Sequence, residues 1–271
     1  MPIATMLDYD FMRAAFVAGA LVALVCGSVG FFLVLRSLTF AGHALSHVGF
    51  AGATGSILLG MNPLVGLLAF TIAAAVAMGL LGDRLRGRDI AVGVILSLAL
   101  GLGVLFLSLY STHATQATAI LFGNVLGVSF EALWALLALT VVSLVVLASI
   151  SRPLLFATLA PDVAEAKGVS LRLVSVLFLV VVAIAVAEAA QVVGVLLVFA
   201  LMVVPAATSI RLTSNVGWGV GLAVLLALAH TWLGIALAYF TDWPTTFWIV
   251  LSSCAAYFLS LARRPRTSGN R

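Results

Sequence analysis

Two histidines, His43 and His47, are the residues in this sequence best suited to chemistry, and they lie in the segment AGHALSHVGFAG. Their spacing of four residues places both imidazoles on one face of a helix. Neutral imidazole is a good ligand for zinc and other transition metals. Two ligands do not complete a site, but a symmetric dimer would supply four nitrogens, which suits tetrahedral zinc. The alternative is that each histidine only hydrogen-bonds a neighbouring helix.

Two weaker candidates for metal binding lie elsewhere in the chain. His230, in ALAHTWLG, could be a third ligand, with a packing hydrogen bond as the alternative. Glu188 and Gln191 lie in the middle of a long apolar stretch, and Gly194 nearby supports a break within it. We interpret them as a turn between two spans at the external surface, because one span cannot be this long; a polar lining of a transport path is the alternative. His113 is predicted to be a solvated residue of an external loop.

We expect these side chains to lie on transmembrane helices. Of the 271 residues, 64% are hydrophobic and only 8% are charged, whereas a soluble domain carries roughly 25% charged residues. The apolar runs are long and continuous, which favours helices over a barrel. The sequence therefore predicts an all-α, polytopic membrane protein with nine spans, or eight as the alternative count. The nine runs cover about 14–35, 42–60, 63–82, 90–110, 130–150, 172–189, 191–210, 216–240 and 245–262.

The basic residues predict the orientation of these spans. If nine spans alternate, nearly all Lys and Arg residues of the loops fall on one side of the membrane: Arg36, Arg84, Arg86, Arg88, Arg152, Lys167, Arg172, Arg211, Arg263, Arg264 and Arg266. Positive loops face the cytoplasm, so the C-terminus is expected inside and the N-terminus outside a multi-pass cell-membrane protein. This also explains the net charge of +4 without nucleic-acid binding. We expect a single permease-type domain over 1–262 and a basic cytoplasmic tail over 263–271.

A short segment on the arginine-rich side, APDVAEAKGVS, carries helix start and stop signals. Pro161 can open a helix with Asp162 and Glu165 in its first turn, and Lys167 and Gly168 can close it. The segment is either an ordinary surface helix or a docking element for a cytoplasmic partner.

Small residues and one proline mark how the helices pack. Gly49, Gly52 and Gly55 recur at a spacing of three and predict a face on which another helix approaches closely. Pro205, in ALMVVPAATSIR, is predicted to kink its helix. The sequence contains no HExxH, GxSxG or Walker A motif, so it cannot hydrolyse ATP by the Walker A route.

Four blocks together resemble the membrane permease subunits of ABC transporters that import zinc, manganese or iron(II), often called the ABC-3 family. They are RSLTFAGHALSHVGFAG, ATLAPDVAEAKGVSLRLV, VVGVLLVFALMVVPAATSIRLT and YFTDWPTTFWIVL, in that order over nearly the whole chain. The resemblance implies an ABC importer permease fold without a permanently bound cofactor. It also implies a homodimer with two cytoplasmic ATPases, which use the ATP, and an extracytoplasmic metal-binding protein.

The resemblance also bears on the metal. His47 matches the histidine of the family, whereas His43 falls where many members carry aspartate. Because imidazole suits zinc and carboxylate suits the harder manganese ion, we expect zinc as the transported metal. The alternatives are a permease for manganese or iron(II), or for a metal chelate or cofactor, and, more distantly, an intramembrane metal-dependent enzyme. A secondary transporter without an ATPase is a further alternative.

Overall fold

The computed structural model describes residues 6, 8–81, 88–109 and 120–262, and this part of the chain is helical with no strand. Beyond one short 3-10 turn at Val125–Gly127, the helices run in chain order as α1 (Asp10–Leu35), α2 (Thr39–Leu58), α3 (Pro63–Leu81), α4 (Arg88–Ser108), α5 (Phe130–Leu159), α6 (Pro161–Ala166), α7 (Leu171–Val193), α8 (Val195–Leu212), α9 (Val216–Thr241) and α10 (Thr245–Ala262). The predicted tail, 263–271, and the loop residue His113 lie outside the described residues. The prediction of an all-α, polytopic membrane protein is confirmed.

Eight of the described helices are long and apolar enough to cross a membrane. The exception among the long helices is α2, which contains both histidines and several glycine, serine and threonine residues. Contacts at the helix ends nevertheless require α2 to cross. Arg36, just after α1, bonds Thr158 near the end of α5, and Arg172 at the start of α7 bonds the carbonyl of Leu80 near the end of α3. Because α5 and α7 are joined by the short α6, α1 and α3 end on the same face, and α2 must lead away from it.

The same contacts test part of the arginine pattern. Arg36 and Arg172 lie on the face that carries α6, as the alternating topology predicts. Arg211 occupies the last turn of α8, whose direction places it on this face as well. Which side of the membrane this face meets stays a prediction.

The centre of the bundle is formed by α1 and α7, the two most deeply buried spans among the described helices. Around them, α2 packs against α3, α4, α7 and α8. The outer positions belong to α4 and α10, which expose most of their apolar surface. This arrangement holds the histidine helix inside the bundle, where its lower hydropathy carries little penalty from lipid.

The predicted small-residue face of α2 is a close helix contact. A Cβ built on Gly52 would collide with the carbonyl oxygen of Gly66 on α3, so the two backbones touch. Gly49 lies against Leu67 and Gly55 against the ring of Phe106. The absence of side chains on this face is what lets α2 sit tightly against both α3 and α4.

The predicted turn at Glu188 and Gln191 is wrong. Both residues lie within α7, which continues to Val193. The chain breaks at Gly194, where φ is +82°, and α8 begins at the next residue. Only glycine adopts this backbone conformation without strain, so the glycine rather than the polar residues fixes the break. Pro205 is buried inside α8, which continues to Leu212, and the kink at this proline stays a prediction.

Candidate metal site

The two candidate metal ligands lie in the first half of α2, on adjacent turns of one helix face. The rings of His43 and His47 are 4.7 Å apart, centroid to centroid, with their planes at 83°. His43 also packs edge to face on Phe199 of α8, at 5.0 Å. Both histidines are half-buried. They therefore face a region that their own chain does not fully cover.

The ring nitrogens of this pair are available to a ligand. No hydrogen bond involves either imidazole within the described part of the chain, so the alternative of a bond to a neighbouring helix finds no partner there. Over the same residues, no three His, Cys, Asp or Glu side chains come together as a metal site. One chain thus offers two imidazoles and leaves the remaining coordination positions open.

His230 does not join the pair. It lies in α9, only 8% exposed, and its Nδ1 atom has no hydrogen-bond partner among the described residues. Gly234, one turn further along α9, contacts Ile249 of α10, so the antiparallel register places His230 near Ser253. The Oγ atom of Ser253 also lacks a partner in that part of the chain. His230 and Ser253 thus lie on neighbouring helices, each with a buried polar atom that has no hydrogen-bond partner among the described residues.

Glu188 contacts a hydroxyl on another helix rather than the histidine pair. It is fully buried, and the hydroxyl of Thr140 on α5 donates a hydrogen bond of 2.6 Å to its Oε1 atom. Its Oε2 atom and the hydroxyl of Ser143, also on α5, have no partners among the described groups. In the structure this carboxyl joins α5 to α7 inside the bundle.

This contact predicts how Glu188 variants behave. Glu188→Gln keeps the oxygen that accepts from Thr140 and the volume of the side chain, so we expect little change in thermal stability in detergent and near-normal metal uptake. Glu188→Ala removes the acceptor and leaves a cavity, and it should cost about 2–4 kcal/mol of stability. Thr140→Val is the matched control for the hydrogen bond alone. A well-folded Glu188→Gln variant with strongly reduced uptake would instead place Glu188 on the transport path.

The predicted short helix at Pro161 is present as α6. Pro161 occupies its first turn, Lys167 follows its end, and Gly168 closes it with φ at +82°. Ala164 is buried against the bundle, whereas Asp162 and Glu165 are exposed. The element therefore presents its acidic side chains outward from the face that carries the arginines.

The sequence pattern indicated Arg36 only as a marker of topology, although the structure bonds it to two other helices. Its guanidinium bonds Thr158 and the Leu154 carbonyl on α5 and Ser175 on α7. The sequence signal is that this arginine stands between two spans just before the histidine segment. Its partners are far away in sequence, so the pattern alone did not identify them.

Comparisons with known proteins agree with this architecture. Residues 8–264 match the model of the ABC 3 transport family. The manganese import system permease protein ScaB of Streptococcus parasanguinis is 30% identical over 267 residues, covering 97% of this chain and 94% of that protein. The manganese transport system membrane protein MntC of Listeria monocytogenes is 28% identical over 262 residues, covering 96% and 93%.

A solved structure shows the same fold. The structure titled PsaBC from Streptococcus pneumoniae in complex with Fab superposes with a TM-score of 0.85 at 25% identity, covering 96% of this chain and 95% of that one. The family match extends over nearly all of the described helices and includes the histidine segment and α6. The chain therefore belongs to the ABC 3 transport family and is a membrane-spanning transport subunit.

Proposed function

We propose that the chain is the permease subunit of an ATP-driven importer of divalent transition-metal ions. The observation that carries this proposal is the pair His43 and His47, half-buried on one face of α2 and without hydrogen bonds in the described chain. Intramembrane imidazoles without protein partners are expected to serve a transported ligand. The relatives are named as manganese or metal transport proteins, which supports the same substrate class.

Manganese is the metal that the relatives favour, and the expectation of zinc from the sequence alone receives no specific support from them. Zinc is the second candidate because of one observation, the imidazole of His43 beside that of His47. Two nitrogen ligands favour zinc, whereas manganese prefers oxygen ligands such as carboxylate, carbonyl and water. Water or oxygen donors in the open coordination positions would make the same pair suitable for manganese.

The metal coordination positions that one chain leaves unfilled also support a homodimer. If two copies place their α2 helices around a shared axis, four imidazole nitrogens surround one ion. In this assembly α6 faces the cytoplasm and contacts an ATPase subunit, and a binding protein delivers metal from outside. The ion enters an outward-open cavity, is held briefly by the histidines, and leaves when ATP-driven movement opens the inner side. Its affinity must be modest, because a tightly held ion would not leave.

Uptake by the reconstituted complex with its ATPase and binding protein tests this function. ATP-dependent accumulation of Mn²⁺, with Zn²⁺ as competitor, identifies the preferred metal. X-ray absorption fine structure of the zinc- or manganese-loaded dimer then reports the neighbours of the ion. A nitrogen shell supports the histidine site, and a shell of oxygen neighbours alone would exclude it. No ATP-dependent uptake of either ion would overturn the proposed function.

The docking role of α6 gives a separate prediction. Replacing Asp162 and Glu165 together by lysine reverses the exposed charge of α6 without touching its buried Ala164. We expect less ATPase to co-purify with the permease, because like charges at an interface cost affinity. Glu131→Lys, at an exposed position in the first turn of α5 on the opposite face, is the control. Unchanged co-purification of the double variant would argue against docking at α6.

A further inference from the structure

Arg36 connects three helices at the face that carries α6. One Nη atom donates to the hydroxyl of Thr158 at 3.0 Å and, more weakly, to the carbonyl of Leu154 at 3.4 Å. The other Nη atom donates to the hydroxyl of Ser175 at 2.9 Å. The guanidinium also lies 5.8 Å from the ring centre of Phe178. A half-buried charge with this many donors in use is held in one position.

The partners of Arg36 flank α6 on both sides. Thr158 is the penultimate residue of α5, and Ser175 is the fifth residue of α7. Between them lie only α6 and its short connections. Any displacement of α6 that moves the end of α5 or the start of α7 therefore acts directly on the guanidinium of Arg36.

The backbone of Arg36 belongs to the short connection between α1 and α2, residues 36–38, which we call the α1–α2 joint. The amide of Leu38 donates to the carbonyl of Leu33 at 2.9 Å, and that of Ser37 donates to Val34 at 3.0 Å. Ser37 has φ at +56°. This double hydrogen-bond pattern with a left-handed residue closes α1 firmly. Helix α2 begins at Thr39, with the amide of Gly42 bonded to the Leu38 carbonyl, and His43 lies in its second turn.

We propose that Arg36 is a positioning residue that transmits movement of α6 to the start of α2 and so to the histidine pair. This inference rests on the proposed function, in which α6 receives the movement of the ATPase. The side chain is bonded to both α5 and α7, so it moves with them. The hydrogen-bonded α1–α2 joint leaves few freely rotating backbone dihedral angles between Arg36 and α2. Arginine suits the role because its planar guanidinium reaches hydroxyls on two helices at once. A lysine ammonium would hold the same hydroxyls less rigidly.

The test is the number of Mn²⁺ ions taken up per ATP hydrolysed by the reconstituted importer with its ATPase and binding protein. For Arg36→Gln we expect ATPase co-purification and ATP hydrolysis to persist, while uptake per ATP falls about fivefold or more, the lower range of typical coupling between sites. Arg36→Lys should give an intermediate ratio. Arg172→Gln is the comparison, because Arg172 is an arginine on the same face whose guanidinium bonds the Leu80 carbonyl of α3 at 3.5 Å.

A merely structural role for Arg36 would lower the yield or stability of the complex and leave the ratio unchanged. An assembled Arg36→Gln complex with the wild-type ratio therefore overturns the inference. If that variant does not assemble, Thr158→Val combined with Ser175→Ala removes both hydroxyl acceptors and is expected to give the same fall in the ratio; a wild-type ratio there overturns it as well. If the wild-type complex takes up no metal with ATP, the proposed function fails, and the inference fails with it.

Discussion

Replacing His47 by alanine should abolish metal uptake while the permease still folds and assembles with its ATPase. The substitution removes one of the two imidazoles on α2, and no third ligand from the described chain is close enough to replace it. Loss of an outer-shell partner alone typically costs about 10–100-fold in metal affinity or activity, and loss of a ligand should exceed this. ATP-dependent accumulation of Mn²⁺ and Zn²⁺ in proteoliposomes measures the effect.

Thr54→Ala is the matched control on the same helix. Among the described residues, the hydroxyl of Thr54 bonds only the carbonyls of Phe50 and Ala51 within α2, so its loss should leave uptake nearly unchanged. Both variants should elute from size-exclusion chromatography like the wild type. Normal uptake by His47→Ala would remove the histidine pair from the transport path, even if the protein remained a metal importer.

Replacing Gly52 by leucine should prevent the bundle from closing around α2. Even a single Cβ at this position meets the backbone carbonyl of Gly66, so α2 and α3 must separate to admit a larger side chain. Overpacking in a core typically costs about 1–3 kcal/mol, and a clash with backbone belongs at the upper end because the obstacle cannot change rotamer. We expect a large loss of monodisperse protein in detergent and, with it, of metal uptake.

Gly101→Leu provides the comparison, since Gly101 is exposed on α4 and a Cβ there meets no atom of the described residues within 4 Å. Both substitutions add the same side chain to a helix, so the difference between them isolates the packing of α2. Equal thermal stability and equal yield of the two variants would show that the close contact of Gly52 with Gly66 is not needed to hold the histidine helix.

Composition and local spacing predicted the class of the protein and most of its helices, and they singled out His43 and His47 as ligand candidates. A chain with so few charged residues must expose its apolar surface to lipid. The i, i+4 spacing of His43 and His47 is a local property that is the same in any helix. The start and stop signals of α6 are local in the same way, and the structure contains that helix between Pro161 and Ala166. Such features depend on residues close together in the chain, so they can be predicted from the sequence pattern.

Which polar residues meet could not be predicted from the sequence, because it depends on how the helices pack. Glu188 suggested a turn because its apolar stretch is too long for one span, but Thr140 on another helix donates a hydrogen bond to it and α7 continues to Val193. His230 resembled a further ligand, yet among the described residues it does not form a group of three possible metal ligands with the histidine pair. Arg36 resembled a topology marker, and its partners on α5 and α7 became visible only when these helices packed together. The physical reason is that partners between helices are set by packing and register, which no local spacing records.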